Sequence, residues 1–165
     1  MIKNKIIRCK IKFFILWLFI IAIIFMIDQT SKLLAIKYLI YNTPYKLIPN
    51  FNLLLAINTG AAFSFLHSNV MWHQWLFVIF ALLISCGLMI YLYKISSTNN
   101  LLSLAISLII GGALGNAYDR ALHGYVIDFC HFYIGSWNFA IFNFADSAIT
   151  VGVILFIIHN FIKKS

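Results

Sequence analysis

FAIFNFADSAITVGVILFIIHNFI, residues 139–162, is an apolar run with a carboxamide and a carboxylate close to its start. About 20 such residues in a helix cross the hydrocarbon of a bilayer, so the run is predicted to be a membrane span. The carboxamide is Asn143 and the carboxylate Asp146. In a helix, residues three apart share a face, and the spacing predicts that these two do. Asp146 is one of only four acidic residues in the chain, all of them aspartate. An ionisable group at the edge of a span is costly, which makes Asp146 a functional candidate. Asp128 is its expected counterpart.

The rest of the chain agrees with a membrane protein. Of 165 residues, 63% are hydrophobic and only 10% charged, and the mean hydropathy is +0.96. These values exclude a soluble domain. The expected architecture is an all-α membrane protein, a single domain over 1–165, with spans at about 13–28, 70–93, 101–118 and 139–162. The first apolar run has basic residues before it, like a signal peptide, but no small-residue cleavage site follows, so it is read as a retained span. Between the spans lie two outer segments, 29–69 and 119–138. Within the first, Lys32 and Lys37 among leucines and tyrosines predict a helix lying at the membrane interface over 31–41. Asn42-Thr-Pro-Tyr45 reads as a turn. Phe51 to Leu66, broken at Asn58-Thr-Gly60, reads as a strand, a tight turn and a second strand, a small extracytoplasmic β element. Open sheet edges cannot face lipid, so this element must lie outside the hydrocarbon.

Charge sets the expected orientation. Eight basic residues (Lys3, Lys5, Arg8, Lys10, Lys12, Lys94, Lys163 and Lys164) fall on one side, and four (Lys32, Lys37, Lys46 and Arg120) on the other. The richer side is cytoplasmic by the positive-inside rule, which puts both termini inside and all four aspartates near the outer face. The formal charge of +8 is then an orientation signal and a match for lipid headgroups, with no nucleic-acid partner expected. Cys9, Cys86 and Cys130 lack metal or disulfide spacing, and Cys86 is expected to serve packing. In the third span Ser103, Ser107, Gly111 and Gly115 recur every fourth residue, a seam that allows close helix approach in lipid. Continued by the same step, the seam reaches Asp119 and then His123.

Hydrolysis of a peptide needs an activated water and a proton for the leaving amine. Two carboxylates that share one proton can supply both. Other hydrolytic sets are missing: no Gly-x-Ser-x-Gly elbow occurs, the histidines are scattered, and no His-Glu-x-x-His is present, so neither metal nor cofactor is expected.

Five blocks stand in order: Asp28-Gln-Thr-Ser-Lys32, Asn58-Thr-Gly-Ala-Ala-Phe63, Gly111-Gly-Ala-Leu-Gly-Asn-Ala-Tyr-Asp-Arg120, Val126-Ile-Asp-Phe129 and Phe142-Asn-Phe-Ala-Asp146. Together, with four spans between them, they closely resemble bacterial lipoprotein signal peptidase, or signal peptidase II. The resemblance implies an aspartic endopeptidase of the bacterial cytoplasmic membrane. Such an enzyme removes the signal peptide of a prolipoprotein by cutting before a diacylglyceryl-modified cysteine. It implies Asp128 and Asp146 as the catalytic pair. It implies Asp28, Lys32, Asn58, Asn116, Arg120 and Asn143 as residues that support the site or meet substrate, with Gly60 and Asp119 beside them. Prolipoproteins and membrane lipid are the expected partners of a monomer.

Plainer roles exist for several of these residues. Asp28 can cap the interface helix. Lys32 can pair with Asp28 or reach up to lipid phosphates. Asp119 and Arg120 can form a structural anchor, and Asn58-Thr-Gly60 can be only a turn. The alternative function is an ion- or proton-coupled small transporter that uses the aspartates as ligands. It is weakened by the lack of an inverted repeat or broken helix. A non-catalytic scaffold has no use for aspartates gathered on one face.

Overall fold

A computed structural model describes residues 2–60 and 72–164. Four helices, α1 (Ile2–Tyr38), α2 (Trp72–Ile95), α3 (Asn100–His123) and α4 (Phe144–Lys164), alternate with four strands, β1 (Tyr45–Ile48), β2 (Phe51–Asn58), β3 (Val126–Ile134) and β4 (Trp137–Asn138). All four helices contain stretches long and apolar enough to cross a membrane. The helix α3 is the central one. In its most apolar window 61% of residues are buried, against 22%, 17% and 17% in α1, α2 and α4. The other helices turn large apolar side chains outward, among them Phe80, Leu83 and Phe161, as lipid-facing surfaces do. Cys86, expected to serve packing, is exposed on α2.

The interior is built on small residues. The seam on α3 faces α1: a Cβ on Gly111 would lie 2.7 Å from Ile24 Cγ2, and one on Gly115 would collide with the Asp28 carboxylate. Gly112, one residue further round the helix, lies against the Ala145 carbonyl of α4, and Gly152 of α4 lies against the Ala105 carbonyl of α3. Away from these contacts Trp17, Ile21, Leu92, Leu102, Ile106 and Ile110 form the apolar core.

Polar contacts at the two ends of the bundle define its topology. At one end Trp17 Nε1 donates to the Ser96 carbonyl at 3.0 Å, and Asn99 meets His159 at 3.0 Å. At the other end Asp28 of α1 meets the first turn of α4. The α2–α3 connection and both chain termini therefore share one end, and the sheet occupies the other. Asn99 caps α3 through its side chain, and Gly124, at φ +77°, closes it in the left-handed conformation that glycine adopts without strain.

Several boundaries differ from those the sequence predicts. The first helix does not stop at Asp28 but continues to Tyr38, so residues 31–38 are its last turns and not a separate interface helix. The cause is Lys32, whose burial against α3 satisfies Asp28 inside a continuous helix. The segment 119–138 is not a loop. The helix α3 runs on to His123, and β3 and β4 follow. The sheet is accordingly larger than one hairpin. It has the order β1-β2-β3-β4, antiparallel throughout. The last helix begins at Phe144 rather than 139, because residues before it pair with β3 through Phe142 and Cys130. The second strand expected after Gly60 and the small residues Ala61 and Ala62 lie outside the described residues.

Candidate active site

The site lies at the sheet end of the bundle, where α1, α3, α4, β2 and β3 meet. Asp128 reaches it from β3, opposite Ala56 of β2, and is 2% exposed. Asn58, two residues further along β2, donates Nδ2 to Asp128 Oδ2 at 2.9 Å. Its own Oδ1 accepts the Gly60 N–H at 2.9 Å. That Asx-type turn, with Gly60 at φ +77°, fixes which way the amide points. The block Asn58-Thr-Gly60 is thus a turn and also a contact to Asp128.

Asp146 enters from α4. Asn143 and Asp146 do not lie side by side on one face of that helix, as their spacing predicts. Asn143 is the residue before the helix. Its Oδ1 accepts the Asp146 N–H at 2.9 Å, and Asp146 Oδ2 accepts the Asn143 N–H at 3.1 Å. This reciprocal pair is a capping box made with Asn and Asp. It leaves the Asn143 amide free to turn towards β3, where Nδ2 donates to Asp128 Oδ1 at 2.7 Å. One residue therefore binds both carboxylates, one through its side chain and the other through its backbone. Asn116 of α3 completes the set, with Nδ2 to Asp146 Oδ1 at 2.8 Å and Oδ1 accepting from Asn143 and from Lys32.

Beneath these lies a buried ionic cluster. Lys32 Nζ lies 2.8 Å from Asp28 and 2.9 Å from Asp119, and all three side chains are at most 2% exposed. The structure resolves the alternatives for Lys32: it pairs inward. Asp28 caps a helix, but that helix is α4, not its own: its Oδ1 accepts the Ala145 N–H at 2.9 Å. Asp119 accepts the Ile127 N–H at 3.3 Å, tying α3 to the residue before Asp128. Arg120 places its guanidinium over the Phe77 ring, 5.0 Å from the centroid, and acts electrostatically on Asp146, Asp128 and Asp119.

The ten residues singled out in the sequence are joined here, nine of them through direct hydrogen bonds or ion pairs and Arg120 through its charge. His123, the last step of the seam, is exposed and stands apart. Sequence reasoning missed Gln29, whose Nε2 donates to Asp28, Asp119 and the Gly115 carbonyl at 3.0–3.3 Å. It sits inside the block Asp28-Gln-Thr-Ser-Lys32, one residue from a buried carboxylate, and that position is the only signal the sequence carried. Gln74 and Phe77 were missed as well.

Electrostatics separate Asp128 from an ordinary carboxylate. Burial above all, together with the charge of Asp146, pushes its pKa up from 3.8 to about 6, against the pull of the hydrogen bonds from Asn58 and Asn143. The same burial pushes the neighbouring Cys130 thiol up to about 11, so it stays protonated and unreactive. Two carboxylates that repel one another, one of them holding a proton near neutrality, have the properties needed to activate a water and protonate an amine.

Residues 20–162 match the model of the family described as signal peptidase (SPase) II. The chain is 45% identical over 147 residues to the lipoprotein signal peptidase of Photorhabdus laumondii, covering 89% of this chain and 88% of that one. It is 42% identical over 148 residues to the lipoprotein signal peptidase of Salmonella newport, covering 90% and 89%. A bacterial membrane enzyme solved by the in meso method at 2.3 Å superposes with a TM-score of 0.78 at 33% identity, covering 90% of this chain and 89% of that one.

Proposed function

The chain belongs to the signal peptidase II family, and from that premise we propose that it removes signal peptides from prolipoproteins as an aspartic endopeptidase. It cuts before the diacylglyceryl-modified cysteine, with Asp128 and Asp146 as the catalytic pair. The observation that carries this reading is the convergence of both carboxylates on Asn143. In the reaction, the ionised member takes a proton from a water placed between the pair and the scissile carbonyl. The protonated member first hydrogen-bonds the carbonyl oxygen. The leaving amine then receives a proton from the pair, and both carboxyls return to their starting states. The raised pKa of Asp128 favours it as the member that holds the shared proton.

Asn143, Asn116 and Asn58 orient the pair, and the Lys32 cluster fixes α1, α3 and α4 around it. The enzyme works as a monomeric single unit of the bacterial inner membrane, with both termini in the cytoplasm and the site near the outer face. Membrane lipid surrounds it. There the acyl chains of the substrate, worth roughly 0.8 kcal/mol per buried CH₂, keep the cleavage point at the level of the site. The transporter alternative gains nothing from this arrangement, since all four spans are continuous helices. The test is cleavage of lipidated prolipoprotein by purified protein. Asp128→Asn and Asp146→Asn should each abolish it while the protein stays folded, and the double variant should be no worse than either. Substantial turnover by either single variant would sink the mechanism.

A further inference from the structure

Gln74 lies in the first turn of α2 and is nine-tenths buried. Its Nε2 donates to the Thr59 carbonyl at 2.7 Å. Its Oε1 is buried with no hydrogen-bond partner among the described residues. A half-satisfied buried amide costs about 1–3 kcal/mol, a cost that leucine or methionine would avoid if packing were its only task. One turn on, Phe77 lies between two parts of the site. The position of a Cβ on Gly60 is 3.2 Å from the Phe77 ring, and Arg120 sits over the ring. The turn 58–60 is therefore held by α2 at two points, Thr59 by a hydrogen bond and Gly60 by an aromatic wall. The next link is the Asx turn, in which Gly60 holds the Asn58 amide so that its Nδ2 meets Asp128.

We propose that Gln74 is a positioning residue for the peptidase reaction, acting through Thr59 and Asn58 on Asp128. The inference rests on the assignment of Asp128 to the catalytic pair. The hydrogen bond from Asn58 favours the carboxylate form of Asp128. A turn freed from α2 lets that bond lengthen, and Asp128 then holds its proton to higher pH. The other groups linked to Asp128 are Lys32 from α1, Arg120 from α3, Cys130 from β3, and Asp146 and Asn143 from α4 and its cap. Neither Thr59 nor Gln74 touches them in any described hydrogen bond or ion pair, so replacing Gln74 leaves them in place.

The experiment is a double-mutant cycle in the full-length protein, read by cleavage of lipidated prolipoprotein across pH. Gln74→Met keeps length and apolar packing but has no donor, and Asn58→Ala removes the bond to Asp128. Gln74→Met should lower kcat several-fold with little change in KM and move the alkaline limb of the profile, where Asp128 gives up the shared proton, to higher pH. Asn58→Ala should do the same more strongly, and adding Gln74→Met to it should change nothing further. Effects that add, or an unmoved alkaline limb in Gln74→Met, would overturn the proposal. Should Gln74→Met be unstable, Gln74→Leu reads the same cycle. Failure of the underlying assignment looks different: Asp128→Asn would then retain turnover, whatever Gln74 does.

Discussion

Asp28 Oδ1 accepts the backbone N–H of Ala145 at 2.9 Å, so a carboxylate from the first helix caps the last. The same carboxylate holds Lys32 with its other oxygen and fills the space left by the missing side chain of Gly115. A single buried residue thus joins α1, α3 and α4 directly below the pair. Negative charge at a helix N-terminus is favourable, and it is more so in a site shielded from water.

That relationship predicts a graded response at residue 28. Asp28→Asn keeps an oxygen for the Ala145 N–H but leaves Lys32 with one carboxylate, Asp119, beside the Asn116 oxygen. Asp28→Ala loses both. Breaking a buried pair on one side costs about 3–5 kcal/mol, and the lost cap adds about 1 kcal/mol. Thermal unfolding in detergent should rank wild type above Asp28→Asn and Asp28→Ala lowest. Equal melting temperatures for the two variants would show that the cap contributes nothing.

The glycines of α3 should not be equivalent. Gly112→Ala drives a methyl into the Ala145 backbone, which cannot move without shifting the capping box. The nearest atoms to the methyl of Gly111→Ala are the Ile24 side chain and the Ile21 carbonyl, at 2.7–3.2 Å. Gly111→Leu should separate α3 from α1 and abolish activity, and Gly111→Ala should be milder than Gly112→Ala. On α2, a Cβ added to Gly87 would meet no atom within 4 Å, so Gly87→Ala should be neutral or slightly stabilising. Melting temperature and specific activity together check this order.

Stability should depend on pH through Asp128. Its pKa rises from 3.8 to about 6 on folding. Between about pH 4 and 6 the folded protein keeps a proton that the unfolded chain has released. Stability from this group therefore falls as pH rises through that window and is level above it. The fall is roughly 3 kcal/mol at about 1.4 kcal/mol per unit. Asp128→Asn should flatten the unfolding profile over the same range. A wild-type profile already flat there would show that burial does not hold the proton on Asp128.

Topology offers an independent check. Both termini lie at the end of the bundle opposite the sheet, and Lys32 is buried in the site rather than free in a loop. Only Lys37, Lys46 and Arg120 then remain as basic residues near the sheet end outside the buried ion pairs, which sharpens the asymmetry behind the positive-inside assignment. A reporter fused after Ser165 should be active only in the cytoplasm. A cysteine introduced at Asn42 should be labelled by a membrane-impermeant reagent from outside. Labelling only after lysis would reverse the orientation of all four spans.

The sequence by itself determined the membrane class and the four spans, while the candidate site residues came from five ordered motif blocks and the family they resemble. The class and the spans follow from local properties: the length of an apolar run and the rarity of charge within it. Helix ends were less legible. Asp28 reads as a stop signal because a carboxylate in a span must find a partner, and its partners, Lys32 and the Ala145 N–H, are visible only once α1 meets α4. Asn143 and Asp146 read as neighbours on a helix face, since spacing alone does not show where a helix begins. Only the tertiary structure decided that they form a cap, that β3 pairs with β2, and that Asn143 binds Asp128. Asn58 and Asp128 are 70 residues apart, and Asp28 and Ala145 are 117 apart. Contacts at such separation depend on how helices pack and strands pair, and no local pattern of residues encodes them.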